Sequence, residues 1–238
     1  MRQDIHNADV PVLCRACEAR HRGICGALDA NELLRLGRRS SRHEHGAGTT
    51  LVAVGDRPEH CSNILSGVVK LSKLLADGRQ QVVELQFAPD FLGRPFAEQS
   101  DVLVEAATDV RLCSFPRLAL EAMMADAPAL ENRMHRQALR QLDDARDWMM
   151  TLGRKNAAEK VASFLLMIAR HVRPQDDGYS SRFDLPLSRS DIADFLGLTI
   201  ETISRQLTRL RKDGTIGIER ARHVTVQDLE ALKRAAAI

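Results

Sequence analysis

The sequence lacks any apolar run long enough to cross a membrane, because no stretch approaches the roughly 20 residues that a membrane-spanning helix requires. Residues 1–17 also lack the apolar middle of a secretory signal peptide. The composition is neither that of a disordered protein nor that of a fibrous one, since 44% of the residues are hydrophobic. We therefore expect a folded cytoplasmic protein with no membrane association. A length of 238 residues favours two domains.

Cysteine is scarce, with five residues in the chain, and three of them lie between positions 14 and 25. A reducing cytoplasm argues against a disulfide framework, so metal binding becomes the leading interpretation. Cys14-x-x-Cys17 places two thiolates close enough to share one metal centre, and Cys25 follows after seven residues. A fourth ligand must come from elsewhere in the chain, and the candidates are Cys113 and Cys61.

The cysteine pattern admits two kinds of metal centre. Four thiolates suit a cubane iron–sulfur cluster, in which each iron takes one protein sulfur. Structural zinc accepts the same ligand types, here the three clustered cysteines with His21, His43 or a distant cysteine. Three unconnected buried thiols fit less well, because a Cys-x-x-Cys pair followed by a third cysteine in a polar segment has little value for packing. A thiol enzyme finds no support, since no cysteine has a local histidine and carboxylate arrangement.

The region between residues 46 and 115 contains short β-branched runs separated by turn signals such as Gly55-Asp56 and Asp77-Gly78. Strands of about six residues at this spacing predict an antiparallel β domain. A closed or double-sheet barrel leaves few exposed edges, and a jelly roll is the natural candidate. We assign residues 31–125 to this barrel, after a cysteine-rich segment at residues 1–30. The predicted class is α+β.

A long helix is expected after the barrel. Asp126-Ala-Pro128 supplies an N-cap and an early proline before a run without helix breakers to Leu152. Apolar residues then recur at steps of three and four, a period typical of a coiled-coil seam. We predict a dimerisation helix over residues 126–153, a parallel homodimer and a hinge near Gly153; the alternative is that the stripe packs on the barrel. The stripe consists of Leu130, Met134, Ala138, Leu142, Ala145, Met149 and Leu152.

The remaining part of the chain is basic and helical. Residues 154–238 carry 15 Lys and Arg against 11 Asp and Glu, whereas residues 1–153 carry 19 against 21. A basic segment suits a polyanionic partner, although an excess of four charges decides little by itself. Asn156-Ala-Ala-Glu159 reads as a capping box that opens the first helix of this domain.

A helix-turn-helix follows. Ser188-x-x-Asp191 reads as a second capping box, Gly197 allows a tight turn, and Thr199 can cap the next helix. The segment 215–226 then looks like a two-stranded wing. Arginine and carboxylate side chains in the first turns of such a helix can contact guanine and cytosine in the major groove. The candidate DNA-binding residues are Thr199, Glu201, Thr202, Ser204, Arg205, Thr208 and Arg209 on the helix, with Arg220 and Arg222 at the wing.

Several of these motifs together resemble a known family. These are Cys14-x-x-Cys17-x7-Cys25, the distant Cys113 before Ser-Phe-Pro, the Lys-Asn-Ala-Ala-Glu stretch ending at Glu159, and the Glu-Thr-Ile-Ser-Arg motif from Glu201. In these four motifs the chain resembles members of the CRP/FNR superfamily. The resemblance spans nearly the whole chain. It is strongest to the fumarate and nitrate reduction regulators and their alpha-proteobacterial relatives.

The resemblance implies a jelly-roll sensor, a long dimerisation helix and a winged helix-turn-helix at residues 154–238. It implies that Cys14, Cys17, Cys25 and Cys113 bind a 4Fe-4S cluster, which leaves Cys61 as a spare thiol. It also implies that the cluster forms without oxygen and favours the dimer, whereas oxygen converts it to 2Fe-2S, weakens the dimer and releases DNA. The implied partners are double-stranded promoter DNA with inverted repeats resembling TTGAT-N4-ATCAA, and RNA polymerase. By position Glu201, Ser204 and Arg205 would contact bases.

The sequence departs from the family pattern in two places. The gap of seven between Cys17 and Cys25 is longer than the five of the best-known enterobacterial members. The phosphate-binding Gly-Glu and Arg-Ser pairs of the cyclic-nucleotide branch are absent from residues 91–96 and 101–105. We therefore predict that the protein binds no cyclic nucleotide.

Overall fold

The computed structural model describes residues 10, 11, 14, 15, 17, 19–172 and 181–238. Internal contacts divide the chain into two units, one formed by the residues up to 79 with 83–142, the other by 80–82 with 143–238. In the described parts of the chain, no helix is both long and apolar enough to cross a membrane.

In the described residues, three short helical elements precede the barrel, and the sequence patterns did not predict them. Helix α1 spans Ala19–Arg22, a 3-10 turn spans Ile24–Ala27, and α2 spans Ala30–Gly37. The second helix begins at a capping box, in which the Asp29 side chain accepts from the Glu32 amide and the Glu32 side chain accepts from the Asp29 amide. Such short helices have too few turns to show a periodic apolar pattern.

The β domain consists of two four-stranded sheets, ordered β1-β8-β3-β6 and β2-β7-β4-β5. The pairs β1–β8, β3–β8 and β4–β7 are antiparallel, which confirms the predicted double-sheet β domain. Strand β1 begins at Ser41, before the first predicted strand. It was not predicted because its mostly exposed Ser-Arg-His-Glu-His sequence gives no apolar signal. The strands are β1 (Ser41–His45), β2 (Thr50–Val52), β3 (His60–Ser66), β4 (Val68–Leu74), β5 (Gln80–Phe87), β6 (Phe91–Leu92), β7 (Leu103–Ala106) and β8 (Val110–Pro116).

Two hydrophobic cores lie in this part of the chain. One fills the space between the sheets, with Ile64, Val69 and Val104 among its members. The other joins the N-terminal helices to the outside of the barrel and contains Ile24 and Leu130, both fully buried. The second core therefore holds the cysteine-rich segment against the helices that follow the barrel.

Helix α3 (Arg117–Asp126) and the 27-residue helix α4 (Pro128–Arg154) follow the last strand of the barrel. The hinge predicted near Gly153 lies slightly later in the chain, because α4 continues through this glycine to Arg154 and the next helix begins at Ala157. The side chain of Asn156 accepts from the amides of Ala158 and Glu159 and so caps the next helix. The Glu159 carboxylate accepts from the Asn156 amide, and the predicted capping box is confirmed.

The C-terminal elements form a winged helix-turn-helix. The Ser188–Asp191 capping box is present, and Gly197 lies in the left-handed region at φ 62°, as the tight turn requires. The three-stranded sheet β10-β11-β9 supplies the predicted wing. The expected end of the first helix at Pro174 lies outside the described residues. The elements are α5 (Ala157–Val172), β9 (Arg182–Asp184), α6 (Arg189–Leu196), α7 (Ile200–Lys212), β10 (Ile216–Glu219), β11 (His223–Val226) and α8 (Leu229–Ala235).

Candidate functional site

Four of the five cysteines line one small pocket. Cys14 and Cys17 precede α1, Cys25 lies in the 3-10 turn, and Cys113 lies on β8. The structure therefore brings together three cysteines that are close in sequence and one that is 88 positions away from the nearest of them, an arrangement that sequence spacing left open.

The backbone around Cys25 approaches its neighbours closely. A Cβ atom on Gly23 would lie 2.7 Å from the Ala19 carbonyl oxygen, and one on Gly26 would lie 2.9 Å from the Arg20 carbonyl oxygen. Both distances are shorter than real Cβ contacts, so only glycine fits at these two positions without a shift of the backbone. The two glycines thus allow the turn that directs Cys25 toward the pocket.

The surroundings of the pocket raise the pKa values of Cys14, Cys25 and Cys113. Burial, and then the neighbouring Cys113, Cys14 and Cys17, raise the pKa of Cys25 to about 12. Burial and the other cysteines likewise raise the pKa of Cys113 to about 11, and burial followed by Cys17 raises that of Cys14. Because thiolates are the metal ligands, charging these groups requires a compensating positive charge.

Two basic side chains supply part of that compensation. Arg20 lowers the pKa of Cys14, and Arg42 lowers the pKa values of both Cys14 and Cys113. Arg42 lies on β1 directly opposite Cys113 on β8. The sequence analysis did not single out either arginine, and the proximity of Arg42 to Cys113 depends on strand pairing.

Cys61 lies outside the pocket. Its side chain is 1% exposed and belongs to the hydrophobic core between the N-terminal helices and the barrel, and burial raises its pKa to about 12. Its Sγ would be 2.8 Å from a Cβ on Gly93, so this thiol fills packing space. Of the two distant cysteines considered as fourth ligand, only Cys113 faces the other three.

The histidines proposed as zinc ligands do not line the cysteine pocket. His43 lines the pocket between the two sheets and forms a 2.7 Å hydrogen bond with the Ser41 hydroxyl, and His21 is not among the lining residues of the cysteine pocket. Among the residues that the structure describes, no group of three or more His, Cys, Asp or Glu side chains is arranged to hold a single metal ion.

A buried asparagine next to the cysteines was missed by the sequence analysis. The side-chain amide of Asn63 donates to Cys25 Sγ at 3.2 Å, and Asn63 lies opposite Cys113 in the β3–β8 pair. The isolated asparagine in the Cys-Ser-Asn-Ile-Leu run was a signal for a special role, because a buried amide needs polar partners.

The predicted recognition helix of the helix-turn-helix is α7. Thr199 is its N-cap and accepts from the Thr202 amide at 3.2 Å, so both threonines contribute to the start of the helix. Glu201 is fully exposed, and hydrogen bonds from its own amide and from Thr199 lower its pKa, which keeps an ionised acceptor at the first turn. A shallow groove runs along the outward face, lined by Ser204, Arg205, Thr208, Arg209, Lys212 and Asp213.

The two arginines of the wing differ in their surroundings. Arg220 lies in the turn between β10 and β11 and adopts φ 47°, and its side chain is exposed. Arg222 is also exposed, but one of its amino groups donates to the Leu185 carbonyl at 3.4 Å. Arg220 is therefore the more accessible of the two for a phosphate group.

The predicted dimer stripe on α4 divides into two parts. Leu130 is fully buried in the core of its own chain, so it is wrong as a contact to a partner, and Met134 is half-buried against that core. The stripe faces the chain's own barrel over its first two turns, as the alternative interpretation held. The later stripe members Ala138, Leu142, Ala145 and Met149 are exposed, Leu152 is half-buried, and the exposed Leu139 and Met150 extend the apolar surface.

Comparisons with known proteins agree with both units. Residues 42–127 match the cyclic nucleotide-binding domain family, and residues 159–235 match the Crp-like helix-turn-helix domain. A probable transcriptional activator of Rhizobium leguminosarum bv. viciae is 53% identical over 98% of this chain and 97% of its own length. The transcriptional activator protein FnrL of Cereibacter sphaeroides is 39% identical over 94% of this chain and 93% of its own. The structure of FixK2 from Bradyrhizobium japonicum has a TM-score of 0.77 at 29% identity, covering 84% of this chain and 98% of that one.

Proposed function

The chain belongs to the CRP/FNR superfamily of transcription regulators, close to the FNR-type members, and from this premise we propose that it is an oxygen-responsive regulator that binds a 4Fe-4S cluster. Its relatives are regulators, not enzymes. The observation that carries the proposal is the meeting of Cys14, Cys17, Cys25 and Cys113 around one pocket.

The donor set fits the proposed cluster. A cubane cluster takes one thiolate for each of its four irons, and four thiols line the pocket. These buried thiols would ionise on binding iron, which would supply the positive charge they need, and Arg20 and Arg42 would offset part of the remaining negative charge. When bound, such a cluster supplies an oxygen-sensitive centre that ties the N-terminal segment to β8.

The cysteine segment is physically connected to the start of the dimerisation helix. Ile24 and Leu28, on either side of Cys25, share a hydrophobic core with Leu130 of α4. The Arg133 guanidinium donates to the carbonyl of Arg22, the last residue of α1. A change in how the four cysteines are held would therefore move groups that pack against α4 and bias a monomer–dimer equilibrium.

The C-terminal part of α4 contacts one of the helices of the helix-turn-helix. The ring of Trp148 on α4 packs edge-on against Phe195 of α6, with ring centroids 4.6 Å apart. We propose that a homodimer formed along α4 presents two copies of α7 to successive major grooves of promoter DNA, at an inverted repeat similar to TTGAT-N4-ATCAA. RNA polymerase would be the protein partner, and the cytoplasm the place of action.

The proposal predicts that DNA affinity depends on oxygen. Protein purified under nitrogen should bind a fluorescent duplex carrying the inverted repeat with a salt-dependent, saturable anisotropy change. Brief exposure to air should weaken this binding by at least about tenfold. This corresponds to a loss of about 1.4 kcal/mol of coupling free energy between the cluster and DNA binding. Equal affinity before and after air would favour the alternative, a zinc-stapled or cluster-free regulator of the same superfamily without oxygen sensing.

The dimer proposal is tested on the exposed part of α4. Met149 is 72% exposed in the single chain, and Met149→Glu should weaken dimerisation at least about tenfold, because each charge would leave water without a partner. Sedimentation velocity under nitrogen measures the effect. Leu118→Glu is the matched control, since Leu118 is 69% exposed but lies on α3. A dimer as stable as wild type in Met149→Glu would rule out this face.

We also propose that the barrel takes no cyclic nucleotide. Arg94, which lines the pocket between the sheets, is ion-paired with Asp101 and is therefore not free to bind a cyclic phosphate. Asp101 also pairs with Lys73 at 3.0 Å, and the Lys73 hydrogen bond is the chief cause of its lowered pKa. Isothermal titration with cAMP should give no heat of binding. Saturable micromolar binding would contradict this prediction.

A further inference from the structure

Asn63 is a polar residue that lines the cysteine pocket and bonds to one of its cysteines. It is 1% exposed, lies on the central strand β3 and lines the pocket. Its amide nitrogen donates to Cys25 Sγ at 3.2 Å, and its backbone is paired with that of Cys113. One side chain thus touches the cysteine of the N-terminal turn and neighbours the distant cysteine on the sheet.

The other half of the same amide has no partner. Asn63 Oδ1 is buried and accepts no hydrogen bond from any residue in the part of the chain that the structure describes. A buried amide oxygen without a partner is destabilising, so an apolar residue at this position would stabilise the barrel more. The contribution of Asn63 to packing alone does not account for an asparagine at this position.

We propose that Asn63 is a positioning residue for the iron–sulfur cluster, holding Cys25 Sγ in place through its N–H···S hydrogen bond and offsetting the negative charge on that sulfur. The inference rests on the proposed cluster, because Cys25 matters as a ligand only if the pocket binds iron. It assigns a role to a residue outside the cysteine set.

Hydrogen bonds to ligand sulfur act on the metal centre in two measurable ways. They fix the orientation of the ligand, and loss of such a partner typically costs 10–100-fold in metal affinity. They also draw electron density from the sulfur, which weakens the iron–sulfur bond to that cysteine. Without Asn63, the orientation of Cys25 is no longer fixed, so the cluster should be lost more easily. The Cys25 sulfur also keeps more of its electron density, so the bond between iron and Cys25 should be stiffer.

The test compares Asn63→Ala with Ser62→Ala in the full chain, purified under nitrogen. Ser62 is the matched control, because it is a buried polar neighbour on the same strand and its side chain points to the opposite face, where it bonds to Ser114 Oγ at 2.8 Å. One readout is the rate of iron release to a chelator without oxygen. The other is the resonance Raman frequency of the iron–cysteine stretch, which a purely structural role would not move.

Asn63→Ala should release iron roughly tenfold faster than wild type and shift the iron–cysteine stretch to higher frequency, whereas Ser62→Ala should match wild type. Asn63→Ser retains a hydrogen-bond donor, so its iron release rate and iron–cysteine frequency should lie between those of Asn63→Ala and wild type. This variant serves as the test if Asn63→Ala does not fold. Unchanged rates and frequencies in both Asn63 variants, or equal changes in Ser62→Ala, would overturn the inference. Wild-type protein without iron and sulfide would instead overturn the proposed function itself.

Discussion

Cys25→Ser should abolish cluster binding and anaerobic promoter activity. Cys25 is the central thiol of the set, since the other three pocket cysteines all act on its pKa and Asn63 donates to its sulfur. A serine hydroxyl is a far weaker ligand for iron than a thiolate, and the remaining three cysteines leave one iron of a cubane without a protein sulfur. Anaerobic iron content should fall to a background level, and transcription from a reporter with the inverted repeat should fall with it.

Cys61→Ser is the matched control for this variant. Cys61 is as deeply buried a thiol as the chain offers, but it packs among apolar side chains outside the pocket. Its replacement should reduce stability slightly and leave the iron content unchanged. Full anaerobic activity in Cys25→Ser, or equal loss of iron in Cys61→Ser, would contradict the assignment of the four pocket cysteines.

Arg205→Ala should cost roughly 1–3 kcal/mol of DNA affinity and relax discrimination at one guanine of each half-site, the value of a bidentate arginine–guanine contact. Arg205 lies on the exposed face of α7, where it donates a long 3.4 Å hydrogen bond to the Glu201 carbonyl, so its guanidinium is available to a base. Binding of duplexes substituted at each position of the inverted repeat measures both the affinity and the position of the relaxed base.

Arg220→Ala provides the contrast. Arg220 lies at the exposed tip of the wing and is expected to contact phosphate, so its loss should weaken specific and random duplexes alike and flatten the dependence on salt. Equal losses on specific and random DNA for Arg205→Ala would refute its proposed role in base reading.

Patterns with a local physical cause were predictable from the sequence. The capping boxes at Asn156 and Ser188 and the left-handed Gly197 all act within a few residues of themselves, so their signals are complete in the sequence. The β-branched runs predicted a double-sheet β domain because successive side chains of a strand point to opposite faces of the sheet, so the pattern of burial follows the local sequence. The polar strand β1 carries no such pattern and was missed.

Features that depend on distant contacts were not predictable in the same way. The burial of Leu130 depends on its packing against Ile24, more than 100 residues earlier, and a helical stripe alone does not distinguish a partner chain from the chain's own core. The position of Asn63 opposite Cys113, and of Cys61 opposite Phe115, follows from the pairing of β3 with β8. The sequence indicates which residue types are present, but the strand register determines which of them meet.

The central claim is that the four pocket cysteines hold an oxygen-sensitive iron–sulfur cluster, and metal analysis tests it most directly. Protein purified under nitrogen should contain about four irons and four sulfides per chain, with little zinc, and its visible absorbance should decline or change shape in air. Zinc, or no metal, with a spectrum that air leaves unchanged would contradict the claim and leave only a DNA-binding regulator of this superfamily.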